Sequence, residues 1–380
     1  MESSKLEFEK AIQPLRTRID QIDSQILNLL AQRQEQVEKV VNLKKKHHMP
    51  VYHPAREEDL ISKLRAQAEK TGLDPDFMED LYRVILRQSR VRQTNQMAHK
   101  GVRPDAKVLI VGGSGQMGAF FARLFIKSGY DVRQLNSRDW ERAAELCKGI
   151  DVAIVSVPID RTPEIIDKLA PFLEPHTILT DLTSIKALPM EKMLQAHKGP
   201  VVGLHPIFGP TSGSMDRQII VVTPGREPET CQWLIDQFTL WGAVIVESTP
   251  EEHDSIMELV QALRHFATFS FGQFLHKRGT DLERSLEFSS PIYRLELGMV
   301  GRLFAQDGSL YSEIIFATKE RLELLKEYIR SMSDHLEMLE NADKQMFIEK
   351  FNKVAEWFGP FSEQAMREST FLINKLTERF

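Results

Sequence analysis

The stretch from residue 107 to residue 135 constrains the fold most, because a glycine-rich turn lies there between two apolar runs. Residues 107–111 read KVLIV and lead through GGSGQMG into a helical pattern that ends near residue 127, before a second apolar run at 130–135. The turn fits GxGxxG with Gly113, Ser114, Gly115, Gln116, Met117 and Gly118. Glycines at this spacing let the backbone approach a pyrophosphate, and the N-terminus of the following helix supplies N–H donors. We predict a βαβ unit that binds a dinucleotide; a tight glycine turn in an unrelated α/β protein is the alternative.

The end of the second apolar run bears on which cofactor is bound. An acidic residue is expected there to hold the ribose hydroxyls of NAD, but the sequence reads Asn136, Ser137 and Arg138. Asn136 can donate to a ribose and accept from it, whereas Ser137 and Arg138 could receive the 2′-phosphate of NADP. These residues leave the choice between NAD and NADP open; the cofactor predicted is NAD, with NADP possible.

Patterns on either side of this unit predict further domains. Apolar runs at 151–157, 177–182, 201–204 and 218–222 alternate with helical segments, which predicts a mostly parallel sheet. After Ser248 the strand patterns cease. Thr249 and Ser290 each precede a proline, the N-cap and N1 pair of a helix start, so the remainder is predicted to be helical.

The N-terminal segment carries only helical periodicity. Apolar residues recur at helical spacing over residues 6–46, 56–70 and from 75 to about 93. One long helix with two shorter ones has little core of its own, so we expect a second copy to cover its apolar stripe and predict a homodimer.

The fold class predicted for these 380 residues is multidomain. We assign residues 1–95 to an all-α domain, 96–106 to a polar linker, 107–248 to an α/β Rossmann-type dinucleotide-binding domain and 249–380 to a second all-α domain.

Charge and cysteine content narrow the function classes. The net charge is -5 and acidic and basic residues are interspersed, so nothing indicates nucleic acid or a membrane surface as a partner, and small-molecule chemistry is favoured. Cys147 and Cys231 lie far apart and outside metal-ligand spacings, which predicts no disulfide and no metal site. With no leader pattern and no apolar stretch of about 18 residues, we predict a cytoplasmic protein.

Polar residues follow several predicted strands at the ends where open α/β sheets bind ligands. They are Ser156, Thr183, Ser184 and His205. His205 precedes Pro206, and an imidazole with a pKa near 6.5 suits removal of a hydroxyl proton during hydride loss. A histidine that only caps a loop is the alternative.

Cationic side chains stand out in both helical segments. Arg33 and Lys44 are eleven residues apart, about three turns, and so share one face of the first helix, while Arg16 points elsewhere and could reach a partner chain. Near the C-terminus, Arg294 and Arg302 could clamp carboxylates in bidentate fashion. The alternatives are a solvated helix face for the first set and ion pairs with Glu296 or Asp307 for the second. His265 shares a predicted helical face with Gln261 and Arg264.

The N-terminal segment contains LRTRIDQIDSQILNLLAQR, Lys44, MPVYHPAREEDL and a last helix that reaches Gln93. Over about residues 5–95 these motifs resemble the all-helical chorismate mutase family of intertwined dimers. The resemblance implies that cationic side chains hold the substrate carboxylates and the ether oxygen, with two further polar residues beside them. The residues placed in that site are Arg16 across the dimer, Arg33, Lys44, Arg56, Glu57 and Gln93. His53 stands where some members of the family have an aspartate.

The rest of the chain contains VLIVGGSGQMG, VSVP, DLTSIK, GLHPIFGP, EEHD, QALRHFATF and SSPIYRLELGMVGRLFAQD, in this order. These motifs resemble the prephenate dehydrogenase family. The resemblance implies that His205 deprotonates the ring hydroxyl, that Ser184 lies beside it, and that Arg302 binds the ring-borne carboxylate region. Further residues placed in the pocket are Arg294, His265, Lys186 and His253.

The two resemblances in one chain imply a bifunctional enzyme that makes two consecutive steps toward tyrosine. Chorismate would be rearranged to prephenate, which is then oxidised by hydride transfer to NAD(P) with loss of CO2, giving 4-hydroxyphenylpyruvate. The family also implies a C-terminal domain that dimerises and feedback inhibition by tyrosine. The alternatives are an arogenate-preferring dehydrogenase, or a mutase whose dinucleotide-binding domain senses NAD(P) without catalysis.

Overall fold

The computed structural model describes residues 2–47, 53–97 and 101–377. The predicted helix break at 48–52 and residues 98–100 of the predicted linker lie outside these ranges. The chain divides into two compact units. The first comprises Met1–Val157, Ile165–Leu182 and Met190–Ser248, and the second comprises Pro158–Glu164, Thr183–Pro189 and Thr249–Phe380.

Three helices begin the first unit: α1 (Glu2–His47), α2 (Pro54–Thr71) and α3 (Pro75–Met97). Pro54 suits the first turn of α2 because its missing N–H has no partner there, and Gly72 ends the helix at a φ of 72°, which glycine adopts without strain. The α3 helix continues past its predicted end near residue 93, so part of the predicted linker is helical.

The first unit also contains a seven-stranded sheet with the strand order 2-1-3-4-5-6-7. All neighbouring strands are parallel except the fifth and sixth, which are antiparallel. The strands are β1 (Lys107–Val111), β2 (Asp131–Leu135), β3 (Val152–Val155), β4 (Ile178–Asp181), β5 (Val201–Pro206), β6 (Ile219–Pro224) and β7 (Val244–Glu247). The helices between them are α4 (Gln116–Lys127), α5 (Ala143–Cys147), α6 (Thr162–Leu169), α7 (Ala187–Ala196) and α8 (Pro228–Leu240). The four central strands are buried at nearly every residue, as expected of a sheet covered on both faces.

The sheet confirms the predicted parallel architecture but corrects two details. Strand β7 was not predicted, because it is a mostly exposed edge strand with a weak apolar pattern. Strand β5 continues through His205 and Pro206, so His205 lies within the strand rather than after it. The antiparallel ladder explains the extension, since His205 pairs with Val221 and Pro206 with Ile220 of β6.

The second unit is helical, as predicted from residue 249 onward. Its helices are α9 (Pro250–Met257), α10 (Arg264–Lys277), α11 (Leu282–Glu287), α12 (Pro291–Phe304), α13 (Gly308–Ile315), α14 (Lys319–Glu340), α15 (Lys344–Phe358) and α16 (Pro360–Thr377). Both predicted helix starts are confirmed: the Thr249 hydroxyl accepts from the Glu252 N–H at 3.2 Å, and the Ser290 hydroxyl accepts from the Tyr293 N–H at 3.3 Å. Within the described ranges, no helix is long and apolar enough to cross a membrane.

The helix path through the second unit departs from the predicted regular α-helix. A π-helical segment, Glu258–Leu263, joins α9 to α10, so Gln261, Arg264 and His265 do not keep the regular i, i+3, i+4 spacing. A π-helical turn is wider than an α-helical turn, so it changes the direction in which the following side chains point. Here the widening lies immediately before His265.

Candidate functional site

The first cluster of functional side chains is formed by α1, α2 and α3. Arg33 of α1 donates from Nη1 to the Ser89 Oγ of α3 at 2.9 Å, and that hydroxyl donates to the Ile85 carbonyl at 2.9 Å. Ser89 is buried. The guanidinium of Arg33 is therefore anchored against α3, with nitrogens left over for an anion.

Lys44 and Glu57 join this cluster from α1 and α2. Partial burial lowers the pKa of the Lys44 ammonium, and the nearby Glu57 carboxylate opposes that shift. Glu57 in turn accepts from Arg90 Nη1 at 2.5 Å. Arg90 is also buried in this cluster, but it was not predicted from the sequence. It lies three residues from Arg87 and three from Gln93 in a helical pattern, and that spacing does not indicate burial.

Gln93 of α3 is a further buried residue assigned to this site, and its side-chain oxygen, Oε1, lacks a hydrogen-bond partner among the described residues. It lies one turn beyond Ser89. The Nε2 of Gln34 on α1 is likewise buried without a partner in the described part of the chain. Because a buried polar atom left unpaired costs about 1–3 kcal/mol, such atoms favour a ligand that supplies the missing bonds.

The side chains of Arg56 and Arg16, which were also assigned to this site, form no hydrogen bond with the cluster among the described residues, and neither does that of the nearby His53. Arg56 is exposed and pairs with Asp59 at 2.7 Å. Arg16 is exposed on α1, about 25 Å along the helix from Arg33. His53 caps α2, since its Nδ1 accepts from the Arg56 N–H at 3.3 Å; an aspartate at this position could make the same cap.

The glycine-rich turn after β1 forms a cradle at the N-terminus of α4. Gly112 has a φ of 83°, and a Cβ there would lie 2.2 Å from the Ser156 carbonyl oxygen. A Cβ on Gly118 would lie 2.5 Å from the Gly112 oxygen, and the Gly115 N–H bonds that same oxygen at 3.0 Å. The prediction began the pattern at Gly113 and missed Gly112, the residue whose positive φ makes the turn possible.

Side chains that follow β2 border this cradle. Asn136 Oδ1 accepts from the Ser114 N–H at 3.0 Å, which leaves its NH2 group to donate. Asp139, another residue that the prediction missed, accepts from the Asn136 N–H at 2.9 Å and fixes the turn. Ser137 and Arg138 are exposed. The cradle and its borders fit a dinucleotide, because the backbone approaches closely at positions where no side chain could be accommodated.

His205, the predicted catalytic base, is buried in the first unit. It is 4% exposed, and the β5–β6 ladder fixes its backbone on both sides, with the Ile207 N–H bonded to the Ile219 carbonyl at 2.9 Å. His205 therefore lies within a strand and not in a loop, and its catalytic role stays a prediction.

In the second unit, residues 183–189 are fixed by Asp254 of α9. Asp254 accepts from the Lys186 and Ala187 N–H groups at 2.7 and 2.9 Å, and from His253 Nδ1 at 2.7 Å. Burial raises the pKa of the Asp254 carboxyl, but these hydrogen bonds outweigh it and the net direction is downward. Lys186 and His253 are buried, and the Ser184 Oγ is buried without a partner in the described ranges. Asp254 was missed, although it adjoins the predicted His253.

His265 lies in a separate group on α10. Its ring is 4.8 Å from the Tyr311 ring, edge to face, and its Nδ1 is 3.2 Å from Arg264 Nη2. Burial, assisted by the Arg264 charge, lowers the pKa of His265 to about 4. The imidazole is therefore neutral near pH 7 and can accept the Arg264 hydrogen bond.

The two predicted carboxylate-binding arginines lie eight residues apart on α12. Arg294 donates to the Leu286 carbonyl at the end of α11. Arg302 is exposed and forms no ion pair with a described carboxylate, while Asp307, its predicted alternative partner, caps α13 through the Ser309 N–H at 2.9 Å. Arg302 thus keeps its guanidinium available to a ligand. Within the described residues, no cluster of His, Cys, Asp and Glu could hold a metal ion.

Three family models match consecutive parts of the chain. They are chorismate mutase type II over residues 15–94, the prephenate dehydrogenase nucleotide-binding domain over 131–247, and the prephenate dehydrogenase dimerization domain over 249–353. The last match indicates a homodimer, and the three together confirm the predicted fold class.

Curated relatives match nearly the whole length of the chain. The T-protein of Haemophilus influenzae is 42% identical over 374 residues, which cover 98% of this chain and 99% of that protein. The T-protein of Enterobacter agglomerans is 43% identical over 365 residues, 96% of this chain and 97% of that one.

Solved structures agree with the fold. A crystal structure of Aquifex aeolicus prephenate dehydrogenase in complex with hydroxyphenyl propionate and NAD+ has a TM-score of 0.54 at 20% identity, covering 66% of this chain and 96% of that one. Synechocystis arogenate dehydrogenase has a TM-score of 0.52 at 19% identity, covering 68% and 99%. At these identities the likeness shows the fold alone. The family models and the full-length relatives together show that this chain belongs to the T-protein family, bifunctional enzymes of tyrosine biosynthesis that join a chorismate mutase to a prephenate dehydrogenase.

Proposed function

We propose that Arg33, Lys44, Glu57 and Gln93 bind chorismate and promote its rearrangement. The observation that carries the proposal is the Arg33 guanidinium anchored on Ser89, together with the half-buried Lys44 on the same helix and the buried Gln93 Oε1, which has no hydrogen-bond partner among the described residues. A Claisen rearrangement needs no acid, base or nucleophile, so the site has only to hold the dianion in its compact conformer and to stabilise charge on the breaking ether bond. Cations and amides perform both tasks.

Arg16 and Arg56 have proposed roles that depend on a second copy of the chain or on the substrate. Arg16 is too far along α1 to serve its own chain's cluster, which supports its assignment to the partner subunit's site. Arg56 would exchange its exposed pairing with Asp59 for a substrate carboxylate, an exchange of small cost because exposed ion pairs contribute only about 0–1 kcal/mol.

We infer that His205 accepts the ring hydroxyl proton of prephenate, with Ser184 positioned beside that hydroxyl. Its fixed place in β5 supports this role, since a general base must be held within hydrogen-bond reach of the proton that it removes. Arg302 and Arg294 would hold the carboxylates, and Lys186, His253 and His265 would complete the pocket. Aromatisation drives loss of CO2, so no general acid is required.

We propose NAD as the cofactor, bound by residues 113–118 with Ser156 at the neighbouring strand end. When bound, it accepts the hydride. The Asn136 NH2 group would donate to a ribose hydroxyl in place of the usual acidic side chain. NADP remains the alternative that the exposed Ser137 and Arg138 could serve.

The decisive experiment follows reduced nicotinamide by its absorbance after chorismate is added, with NAD and NADP tried separately. A lag followed by reduced cofactor supports both activities in one chain. His205→Asn should abolish oxidation and leave the mutase intact, whereas Arg33→Ala should do the reverse. Arg18→Ala is the matched control for Arg33, because Arg18 is exposed on the same helix and, among the described residues, its side chain hydrogen-bonds only to Gln21. Loss of both activities in a folded variant would contradict independent sites.

An arogenate-preferring dehydrogenase is the second candidate function. A curated relative from Methanocaldococcus jannaschii, 30% identical over 298 residues and covering 71% of this chain, is named a probable arogenate/prephenate dehydrogenase. Comparison of kcat/KM for arogenate and prephenate separates the two. If NAD(P) bound without ever being reduced, the sensing alternative would hold instead.

We also propose that the enzyme is a cytoplasmic homodimer inhibited by tyrosine, with domain limits at 1–95, 96–106, 107–248 and 249–380. Both cysteines are free and buried, which supports a reducing compartment. Exposed apolar residues on α1, among them Ile19, Ile26 and Leu29, support a partner chain over this helix. The start of β1 at Lys107 and of α9 at Pro250 supports two of the limits.

A further inference from the structure

We propose that Arg90 and Asp216 are positioning residues of the mutase site, so that a residue of the α/β part of the first unit holds a mutase side chain in place. Arg90 of α3 donates from Nη1 to Glu57 of α2 at 2.5 Å and from Nε to both Asp216 oxygens at 3.2 Å. Asp216 lies in the loop between β5 and β6, 126 residues from Arg90. The inference rests on the proposed role of Glu57 in the mutase.

The ion pairs that join Glu57, Arg90 and Asp216 are largely shielded from solvent. The side chains of Glu57, Arg90 and Asp216 are 15%, 7% and 5% exposed. Charges removed from water to this degree are costly unless geometry and hydrogen bonding are good, and removal of one partner leaves the others uncompensated. Lys44 near Glu57 and Arg217 near Asp216 add positive charge to that of Arg90, so loss of the Asp216 charge leaves an excess of positive charge at this largely buried group.

The loop that carries Asp216 is fixed independently of α3. Met215 is fully buried in the core, and the Asp216 N–H bonds the Ser214 hydroxyl at 3.3 Å. Arg217 follows with a φ of 57°, and its N–H bonds the Gly242 carbonyl at 2.8 Å. A non-glycine residue in the left-handed region costs about 1–3 kcal/mol and persists only where its surroundings hold it. The loop therefore holds the Asp216 carboxylate in a fixed position.

The position of Asp216 determines how Glu57 can bind a ligand, because Arg90 contacts both carboxylates. Arg90 binds Oε2 of Glu57, so Oε1 is the oxygen that can accept from a substrate hydroxyl. A guanidinium can bind two carboxylates at once because its donors point in fixed, separate directions; a lysine ammonium lacks that geometry. Without Asp216, Arg90 can rotate and carry Glu57 with it. The mutase site would then be incomplete although every residue assigned to it is present.

The test measures both activities of full-length Asp216→Asn, with Asp236→Asn as control. Asp236 is exposed on α8, and Gln232 is the one side chain among the described residues that hydrogen-bonds to it. Asp216→Asn should lower the mutase kcat/KM about tenfold, as expected for one misplaced charged contact, and leave prephenate oxidation unchanged because the β5–β6 ladder holds His205. Unchanged mutase kinetics in Asp216→Asn would overturn the inference. No mutase activity in the unsubstituted chain would instead overturn the proposed function.

A double-mutant cycle separates positioning from a general loss of stability. If Asp216 acts through Arg90 on Glu57, Asp216→Asn should have little further effect in a Glu57→Gln background. Additive losses would overturn the proposal, since they would mean that Asp216 acts independently of Glu57. Arg90→Lys should resemble Asp216→Asn. Arg83→Gln is its control, because Arg83 joins Glu58 and Glu79 on the same two helices at a 43% exposed position and should change nothing.

Discussion

Asp254 accepts the backbone N–H of Lys186 at 2.7 Å. This hydrogen bond connects the segment that carries Ser184 and Lys186 to α9. A neutral amide in place of the carboxylate could not accept all the hydrogen bonds that Asp254 accepts. Two side-chain oxygens serve three donors here, from Lys186, Ala187 and His253.

Asp254→Asn should therefore impair the dehydrogenase while sparing the mutase. An amide has one acceptor oxygen, so one backbone N–H loses its bond and the segment that bears Ser184 loosens. We expect a fall of about tenfold or more in kcat/KM for prephenate, with chorismate turnover as the internal reference. Glu251→Gln, on an exposed residue of the same helix, is the control. Equal rates for Asp254→Asn and the unsubstituted enzyme would show that the segment needs no such anchor.

His265 should make stability depend on pH. Its pKa is lowered from 6.5 to about 4, so between these values the unfolded chain binds a proton that the folded chain does not. Stability from this group is complete above pH 6.5 and is lost as pH falls toward 4, at up to about 1.4 kcal/mol per pH unit. Denaturant unfolding at pH 7, 6 and 5 should show a steeper decline for the unsubstituted protein than for His265→Gln. His276→Gln, at an exposed position, should keep the steep decline.

Much of the architecture could be predicted because its signals are local. Strand β1 and the caps at Thr249 and Ser290 follow from the order of residues within one turn or one strand, where no distant contact can overrule them. The three N-terminal helices follow from an apolar period sustained over many turns. The predicted end of α3 near residue 93 was wrong by about one turn, since the helix continues to Met97.

The features that were missed depend on tertiary contacts. Nothing local marks Arg90 as buried, because its partner Asp216 is remote in sequence. The extension of β5 through His205 required knowledge that β6 returns antiparallel beside it. Tertiary contacts also decide which helical glycines are required: outside its own helix backbone, a Cβ at Gly298 or Gly301 of α12 meets no described atom within 4 Å, whereas a Cβ on Gly272 of α10 would lie 2.2 Å from the Phe304 ring.

The two thiols should be unreactive in the folded enzyme. Burial raises the pKa of Cys147 to about 11 and that of Cys231 to about 12, with the charge of Glu227 adding to the second shift. At pH 8 no more than about one thiol in a thousand is then ionised, and neither is accessible. A chromogenic disulfide reagent should detect no thiol in the native protein and two after denaturation. Rapid reaction of the native protein would contradict the buried placement of both residues.

Gly118→Ala should weaken dinucleotide binding without touching the mutase. The added methyl would lie 2.5 Å from the Gly112 oxygen, which is backbone and cannot turn aside as a side chain could. Either α4 moves away from β1 or the turn opens, and both changes displace the amide groups at the helix N-terminus. We expect KM for NAD to rise at least about tenfold, while chorismate turnover stays at its unsubstituted value. Gly301→Ala is the steric control, since a methyl there meets no described atom within 4 Å outside its own helix backbone and should leave KM for NAD unchanged. If Gly118→Ala bound NAD normally, the close contact between α4 and the turn could not be what shapes the cradle.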